Sequence, residues 1–166
     1  MPTAEPTAED PDHAGPSTMA GRWIRATMLR QPQLREHYRA RLHAGPGGMS
    51  RDDLEVIRAA SKLAVRRVFS PEDDVRKITR FVLDLRERFG PQAPGALEIE
   101  ALIRADLGET DVATDDIPQL TVLAAATLTA ALIAFQHALT DADVDGLVTA
   151  AESSARSHGW RPLPAH

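Results

Sequence analysis

The sequence lacks cysteine altogether and is poor in aromatic residues and in lysine. The absence of cysteine from all 166 residues excludes a disulfide-stapled scaffold, a cysteine-ligated zinc site and thiol catalysis. Aromatic residues make up only 4%, too few to build a stacking platform for single-stranded nucleic acid. Arginine outnumbers lysine by 17 to 2. This ratio indicates a coding sequence rich in G and C, and it weakens conclusions drawn from single arginines.

Sequence patterns typical of catalysis are also missing. The chain has no G-x-S-x-G and no H-E-x-x-H motif, and no Glu stands three residues before a His as in di-iron helices. The glycine-rich segment 45–48 lacks the Lys-Ser/Thr that a phosphate-binding loop requires. We therefore expect a protein that is not an enzyme and has no cofactor.

The N-terminal residues contain neither a basic start nor an apolar run, so the sequence predicts no secretory signal and a cytoplasmic location. Residues 1–19 carry four acids and no base, which predicts a disordered acidic tail. The segment 117–139 carries no formal charge and is long enough to cross a membrane. Its acidic flanks and its many Ala and Thr residues favour a buried helix and no membrane contact.

Helical periodicity runs through the remaining chain. Apolar residues recur at three- and four-residue spacing, and no segment alternates with a period of two long enough to form a strand. The predicted fold class is therefore all-α, a single-domain bundle of six or seven helices around the central Ala-rich apolar helix 117–139. We expect the bundle to cover residues 20–159 and an irregular C-terminal tail to cover 160–166.

The clearest helix start in the sequence is Ser70, an N-cap candidate followed by Pro71 at the first helical position. The helix that begins there is expected to end at Gly90. Its outer face contains three candidate ion pairs in which the acid precedes the base by four residues. These are Glu72–Arg76, Asp73–Lys77 and Asp84–Arg88.

One twelve-residue segment, 141–152, resembles the calcium-binding loop of the EF-hand family. It satisfies the pattern D-x-D-x-D-G-x5-E at every position. The resemblance implies four carboxylate ligands and one backbone carbonyl ligand for calcium: Asp141, Asp143, Asp145 and Glu152, with the carbonyl of Leu147. The same residues also fit a capped helix, because Thr140 and Asp143 form a capping-box pair and the apolar residues that follow keep helical spacing. The capped helix is the favoured interpretation, and a calcium site is the alternative.

Charge is distributed unevenly along the chain. The net charge of −5 combines −4 over residues 1–19, +7 over residues 20–90 and −8 over residues 91–166. Opposite charges favour encounter between copies or with a partner. We therefore expect a non-enzymatic interaction or regulatory protein that binds a protein partner or itself. The expected partner-binding residues are aromatic anchors and nearby arginines, namely Trp23, Arg35, Tyr38, Arg39 and Trp160.

The basic region 22–88 supports a further alternative, a regulator that binds nucleic acid through its phosphates. Acids at the start of the helix after Ser70 count against this alternative, since they would face the DNA backbone. A small-molecule pocket between the helices is another option, because bundles form such pockets readily. The sequence does not indicate its ligand.

Overall fold

The computed structural model describes residues 15–166 and folds them into seven α-helices. These are α1 (Met19–Met28), α2 (Pro32–His43), α3 (Arg51–Val68), α4 (Val75–Phe89), α5 (Ala96–Asp106), α6 (Gln119–Gln136) and α7 (Asp141–Ser157). A short 3-10 turn, Gly90–Gln92, follows α4. No strand occurs in this part of the chain, which has one isolated antiparallel bridge between Thr18 and Pro164. The all-α prediction is confirmed.

Helix α3 is the element against which most of the others pack. It contacts α1, α5, α6 and α7, and its contacts with α6 and α7 are the most extensive. Val56, Ile57, Ala60 and Ala64 on its inner face are completely buried. The alanines among them allow neighbouring helices to approach closely, which gives the dense packing of a protein interior.

Helix α6 is expected from its composition to lie at the centre, but only one of its sides is buried. Ala130 and Ile133 have no exposed surface, whereas Leu120 is 79% exposed. By length and composition this helix could also cross a membrane. In the structure it packs against α1, α3, α4 and α5, and 44% of it is buried. A uniformly apolar sequence has no periodicity to show which face is covered.

Helix α4 begins at Val75 and not beside Ser70, so the predicted start is wrong. The Ser70 amide donates to Asp73 Oδ2 at 2.8 Å, and the Asp73 amide donates back to the Ser70 carbonyl at 3.0 Å. These two hydrogen bonds close a separate turn, residues 70–73, that precedes the helix. Asp74 is the N-cap instead, and its Oδ1 accepts a hydrogen bond from the Arg76 amide at 2.9 Å.

One of the three ion pairs predicted for the helix after Ser70 is formed. Lys77 Nζ lies 2.8 Å from Asp73 Oδ2. Glu72 instead accepts a hydrogen bond from the Ser70 hydroxyl. Arg88 does not pair with Asp84 but lies over the ring of Phe135 on α6. The position of Arg88 thus depends on a helix distant in sequence.

Both ends of the described chain are attached to the bundle by a group of residues that we call the terminal clasp, which comprises Ser17, Thr18, Asp53, Glu152 and Leu163. The Thr18 amide and hydroxyl each donate to Glu152 Oε1 at 2.7 Å. The Ser17 amide and hydroxyl donate to Glu152 Oε2 at 3.2 and 3.1 Å. The Leu163 amide donates to Asp53 Oδ1 at 2.7 Å. Two buried carboxylates therefore hold the two terminal segments.

The predicted tails differ from what the structure describes. Residues 160–166 contain no helix, and within them Ala165 is almost fully buried whereas Leu163 is 42% exposed. Residues 1–14 of the predicted disordered tail lie outside the described part of the chain. Of the remainder, Pro16, Thr18 and Met19 are buried, and the Met19 amide donates to the Leu163 carbonyl at 2.8 Å.

Candidate functional site

The segment that resembles an EF-hand loop is a continuous helix. The Asp143 amide donates to Thr140 Oγ1 at 3.2 Å, and the Thr140 amide donates to Asp143 Oδ2 at 3.0 Å, which is a capping box at the start of α7. The capped-helix interpretation is therefore confirmed. In a helix Asp141 and Asp145 share a face from which Asp143 points away, so the three carboxylates cannot surround one ion, and the calcium-loop prediction is wrong.

Each of the predicted calcium ligands has another role. Asp141 and Asp145 both pair with Arg25, and Asp143 accepts a hydrogen bond from Arg67 at 2.8 Å. Glu152 belongs to the terminal clasp, and the Leu147 side chain packs against the core. Hydrogen bonds from the Thr140 backbone and hydroxyl, together with Arg67, lower the pKa of Asp143 below its usual value. Across residues 15–166 no group of three or more His, Asp or Glu side chains could hold a metal ion.

The opposite charges of the two halves of the chain meet within one molecule. Arg25 and Arg67 pair with acids of α7, and Arg58 Nη2 lies 3.2 Å from Asp106 Oδ1. Burial raises the pKa of Asp106 to about 6, against the opposing effect of the nearby cations Arg58, Lys62 and Arg66. The charge complementarity read from the sequence is thus used, at least in part, inside the fold.

Two of the three predicted aromatic anchors are not available on the surface. Trp23 and Tyr38 are only 8% and 6% exposed and belong to the core, because the face of each helix that carries them is turned inward. Trp160 is half-buried and stacks on the His158 ring with 4.8 Å between the ring centroids. Of the two predicted arginines, Arg39 pairs with Glu36 at 2.6 Å, and Arg35 lines the pocket described next.

A pocket of about 350 Å³ opens between the α1–α2 connection, the end of α4 and the second half of α6. Four aliphatic side chains form one wall of the lining, of which Ala26 and Leu132 are buried and Leu128 and Ala131 are half-buried. We call these four residues the floor. They come from α1 and α6, so the contact between these two helices forms the bottom of the pocket.

The two threonines of the pocket wall do not make it polar. Thr27 Oγ1 donates to the Trp23 carbonyl at 2.9 Å, and Thr127 Oγ1 donates to the Leu123 carbonyl at 2.7 Å. Each hydroxyl thereby uses its hydrogen on its own helix, four residues back. An apolar group in the pocket would therefore leave neither hydroxyl donor unsatisfied, although Gln31 Oε1 in the same lining is buried without a hydrogen-bond partner.

Three exposed arginines, Arg30, Arg35 and Arg88, line the mouth of this pocket. None of them forms an ion pair with a carboxylate within the described residues, and Arg35 is close enough to Glu36 only to help Arg39 lower the pKa of that carboxylate. The guanidinium carbon of Arg88 lies 3.8 Å from the centroid of the Phe135 ring, and that of Arg30 lies 5.0 Å from it. These distances are typical of cation–π contacts. Phe135 itself is 44% exposed, so it remains partly open to solvent.

The backbone of Arg30 has the left-handed conformation, with φ of 57°. The Gln31 amide donates to the Ala26 carbonyl at 2.9 Å, and the Arg30 amide donates to the Thr27 carbonyl at 3.2 Å. This pattern is a Schellman motif, whose left-handed position is usually glycine. An L-residue there costs about 1 kcal/mol, and strained positions of this kind cluster at functional sites.

Sequence reasoning allowed a small-molecule pocket between the helices but did not indicate which residues line it. Arg88 lies four residues after Asp84, which predicts a surface ion pair. Phe135 lies in the apolar segment 117–139, which predicts a buried side chain. The one available signal lies before Gln31-Pro32, where a helix has to end but no glycine is present. Arg30 therefore has to adopt the left-handed conformation that glycine usually supplies. Searches against family models, curated proteins and solved structures find no match to this chain, so its function has to be inferred from the geometry of the pocket.

Proposed function

We propose that this chain is a non-enzymatic, regulatory binding domain that takes a small anionic ligand into the pocket between α1, α2, α4 and α6. The observation that carries the proposal is the set of three arginines without acidic partners above an apolar floor. The pocket volume, about 350 Å³, falls at the lower end of the range for small-molecule sites.

The charge pattern supports an anion as the ligand. Elsewhere in the molecule, arginines such as Arg25, Arg58 and Arg67 are neutralised by carboxylates of the chain itself. At the pocket mouth the guanidinium groups keep their hydrogen-bond donors available, and Arg binds planar anions through two such donors at once. A negatively charged ligand would supply the partner that the chain does not.

The residues of the pocket also support a role in binding and not in catalysis. Its lining consists of apolar side chains, two threonines, one glutamine and the three arginines, with no Asp, Glu, His, Ser or Tyr among the described lining residues. None of these groups accepts or donates a proton readily near neutral pH. The pocket therefore offers groups that hold an anion but no general acid or base.

The proposal can be tested by fluorescence titration of the full chain with anilinonaphthalene sulfonate, an aromatic anion. We expect saturable binding at one site and about tenfold weaker binding for Arg30→Gln and for Arg88→Gln, because each loses a charged hydrogen bond. Arg80→Gln is the matched control, since Arg80 lies on the same helix as Arg88 but does not line the pocket. Near-ultraviolet circular dichroism checks that every variant remains packed.

Equal binding by Arg80→Gln, Arg30→Gln and Arg88→Gln would contradict a site at the pocket. Binding that never saturates would contradict a site of any kind. Binding of duplex DNA with strong salt dependence, weakened equally by all three variants, would favour the nucleic-acid alternative over a defined pocket.

Binding to a protein partner or to a second copy is a second candidate, favoured by large apolar side chains on outer faces. Leu97 is 80% exposed, and Leu120 and Leu83 are also largely exposed. Sedimentation equilibrium over a range of concentrations would test self-association. A mass that rises with concentration for the original chain, but not for Leu97→Ser with Leu120→Ser, would support it, whereas a single monomer mass throughout would count against self-association.

A further inference from the structure

We infer that the ligand is a carboxylate carried on an apolar chain or ring, with its apolar part on the floor of the pocket and its carboxylate between Arg30 and Arg88. This inference rests on the proposed function and adds the chemical class of the ligand. Three features of the pocket support it: the depth order of apolar and charged residues, the local charge, and the contacts that the arginines make.

The depth order fixes which part of the ligand is apolar. Ala26 and Leu132 at the bottom are almost fully buried, whereas Arg30 and Arg88 at the mouth are exposed. An ion without an apolar part, such as inorganic phosphate, would contact only the mouth and leave the floor covered by water. A ligand with an apolar body removes that water, and this burial supplies binding free energy in proportion to the area covered.

The local charge favours a single negative charge on the ligand. A depression that adjoins the pocket is lined by Arg88 and Phe135 together with Asp84 and Glu87. These two acids oppose the field of the three arginines, so the neighbourhood has a small positive balance. A carboxylate matches that balance better than a phosphate dianion, which the two acids would repel more strongly.

The contacts with Phe135 leave the arginines ready to bind. Arg30 and Arg88 both lie over this ring, which restricts where their guanidinium groups can go. A guanidinium above an aromatic ring still has its in-plane N–H groups available for hydrogen bonds. A carboxylate can therefore be bound without first breaking an ion pair, and the guanidinium carbons of Arg30 and Arg88 both lie within 5.0 Å of the same ring centroid.

Isothermal titration of the full chain with decanoate tests this assignment against three matched ligands. Decanol has the same chain without charge, decyltrimethylammonium has the opposite charge, and acetate has the head group without the chain. We expect decanoate to bind at least tenfold more tightly than decanol and decyltrimethylammonium, and acetate to show no saturable binding. From hexanoate upward, each added methylene should tighten binding about threefold to fourfold until the floor is covered.

Variants of the chain complete the test. Leu132→Ala should weaken binding of decanoate but not remove its preference over decanol, whereas Arg30→Gln with Arg88→Gln should remove that preference. Arg80→Gln should behave as the original chain. Equal affinity for decanoate and decanol, or tighter binding of decyl phosphate than of decanoate, would overturn the carboxylate assignment. If anilinonaphthalene sulfonate still binds through Arg30 and Arg88 in that case, the proposed function stands without it, and if no anion binds there, both fail.

Discussion

The terminal clasp and the arginine pocket use charge in opposite ways. In the clasp the carboxylate of Glu152 is 2% exposed and accepts hydrogen bonds from the amides and hydroxyls of Ser17 and Thr18. At the pocket the guanidinium groups of Arg30 and Arg88 are exposed and contact an aromatic ring in place of a carboxylate. Donors of the chain itself bind both oxygens of the Glu152 carboxylate, whereas no carboxylate of the described chain pairs with Arg30 or Arg88.

This difference separates residues that stabilise the fold from residues that remain available to a ligand. A buried charge is tolerated only when its hydrogen bonds are complete, so Glu152 leaves nothing for another molecule to bind. Gly21 reinforces the point, because a side chain there would collide with the Glu152 carboxylate. Unpaired exposed arginines contribute little to stability, which is why we propose a role in binding for Arg30 and Arg88. The predictions below test this separation.

The largest effect is expected at the clasp. Glu152→Ala removes the acceptor of buried amides and should lower the free energy of unfolding by about 3 kcal/mol or more, measured by urea unfolding. Glu152→Gln, which retains one acceptor oxygen, should give a smaller loss. The folded fraction of either variant should bind anilinonaphthalene sulfonate as before. Glu109→Ala, which breaks an exposed pair with Arg104, is the control and should have a small effect. A similarly small effect of Glu152→Ala would contradict the role of the clasp.

Asp106 is an intermediate case, because it is buried and only partly compensated by Arg58. Burial raises its pKa to about 6 in the folded state, above the value of about 4 for an unfolded chain. The folded state therefore holds the Asp106 proton more tightly than the unfolded state does. The resulting contribution to the free energy of unfolding is complete below about pH 4 and is lost as the pH rises to about 6.

Asp106→Asn should remove this loss. The unfolding free energy of the original chain should fall relative to that of the variant by about 1–3 kcal/mol between pH 4 and pH 6, since each pH unit between the two pKa values contributes about 1.4 kcal/mol at most. Urea unfolding across this range measures the difference. Asp111→Asn, in an exposed loop, is the control. Its unfolding free energy should change with pH in the same way as that of the original chain. Parallel pH profiles for Asp106→Asn and the original chain would contradict the prediction.

The smallest effect on stability is expected at the pocket. Arg30→Gly should be about 1 kcal/mol more stable than Arg30→Ala, because glycine adopts the left-handed backbone without strain. Both variants should lose affinity for anilinonaphthalene sulfonate to a similar extent. Thermal or urea unfolding of the two proteins gives the comparison directly.

Ala138 offers a matched control at another helix end. It has φ of 47° after α6, in the same Schellman arrangement as Arg30. Ala138→Gly should therefore raise stability by about 1 kcal/mol without any change in anion binding. If Arg30→Gly and Arg30→Ala are equally stable while Ala138→Gly gains, the strain at Arg30 has been misjudged.

Local signals were sufficient for several features of the fold. Ser50 with Asp53 and Thr140 with Asp143 form capping boxes, and α3 and α7 begin at the residue that follows each cap. Capping works within one helical turn, so the residues concerned are close in sequence and their interaction can be read directly. The same logic decided between the two interpretations of 141–152 in favour of a helix.

Local signals failed where another part of the chain competed. Ser70 forms a turn with Asp73 and leaves the cap of α4 to Asp74. Trp23 and Tyr38 were expected on the surface, but tertiary packing turned them into the core. Nothing in the helical spacing of either residue indicates which neighbour will cover it.

The sequence by itself determined that the chain is helical, where two of its helices are capped, and that its halves carry opposite charge. Only the tertiary structure decided which of those charges neutralise each other and which do not. Arg25 meets Asp145 across 120 positions of sequence, while Arg30 and Arg88 meet only at the ring of Phe135. The reason is physical: capping and periodicity act within a turn of helix, whereas ion pairing and pocket formation depend on distances that exist only after the helices have packed.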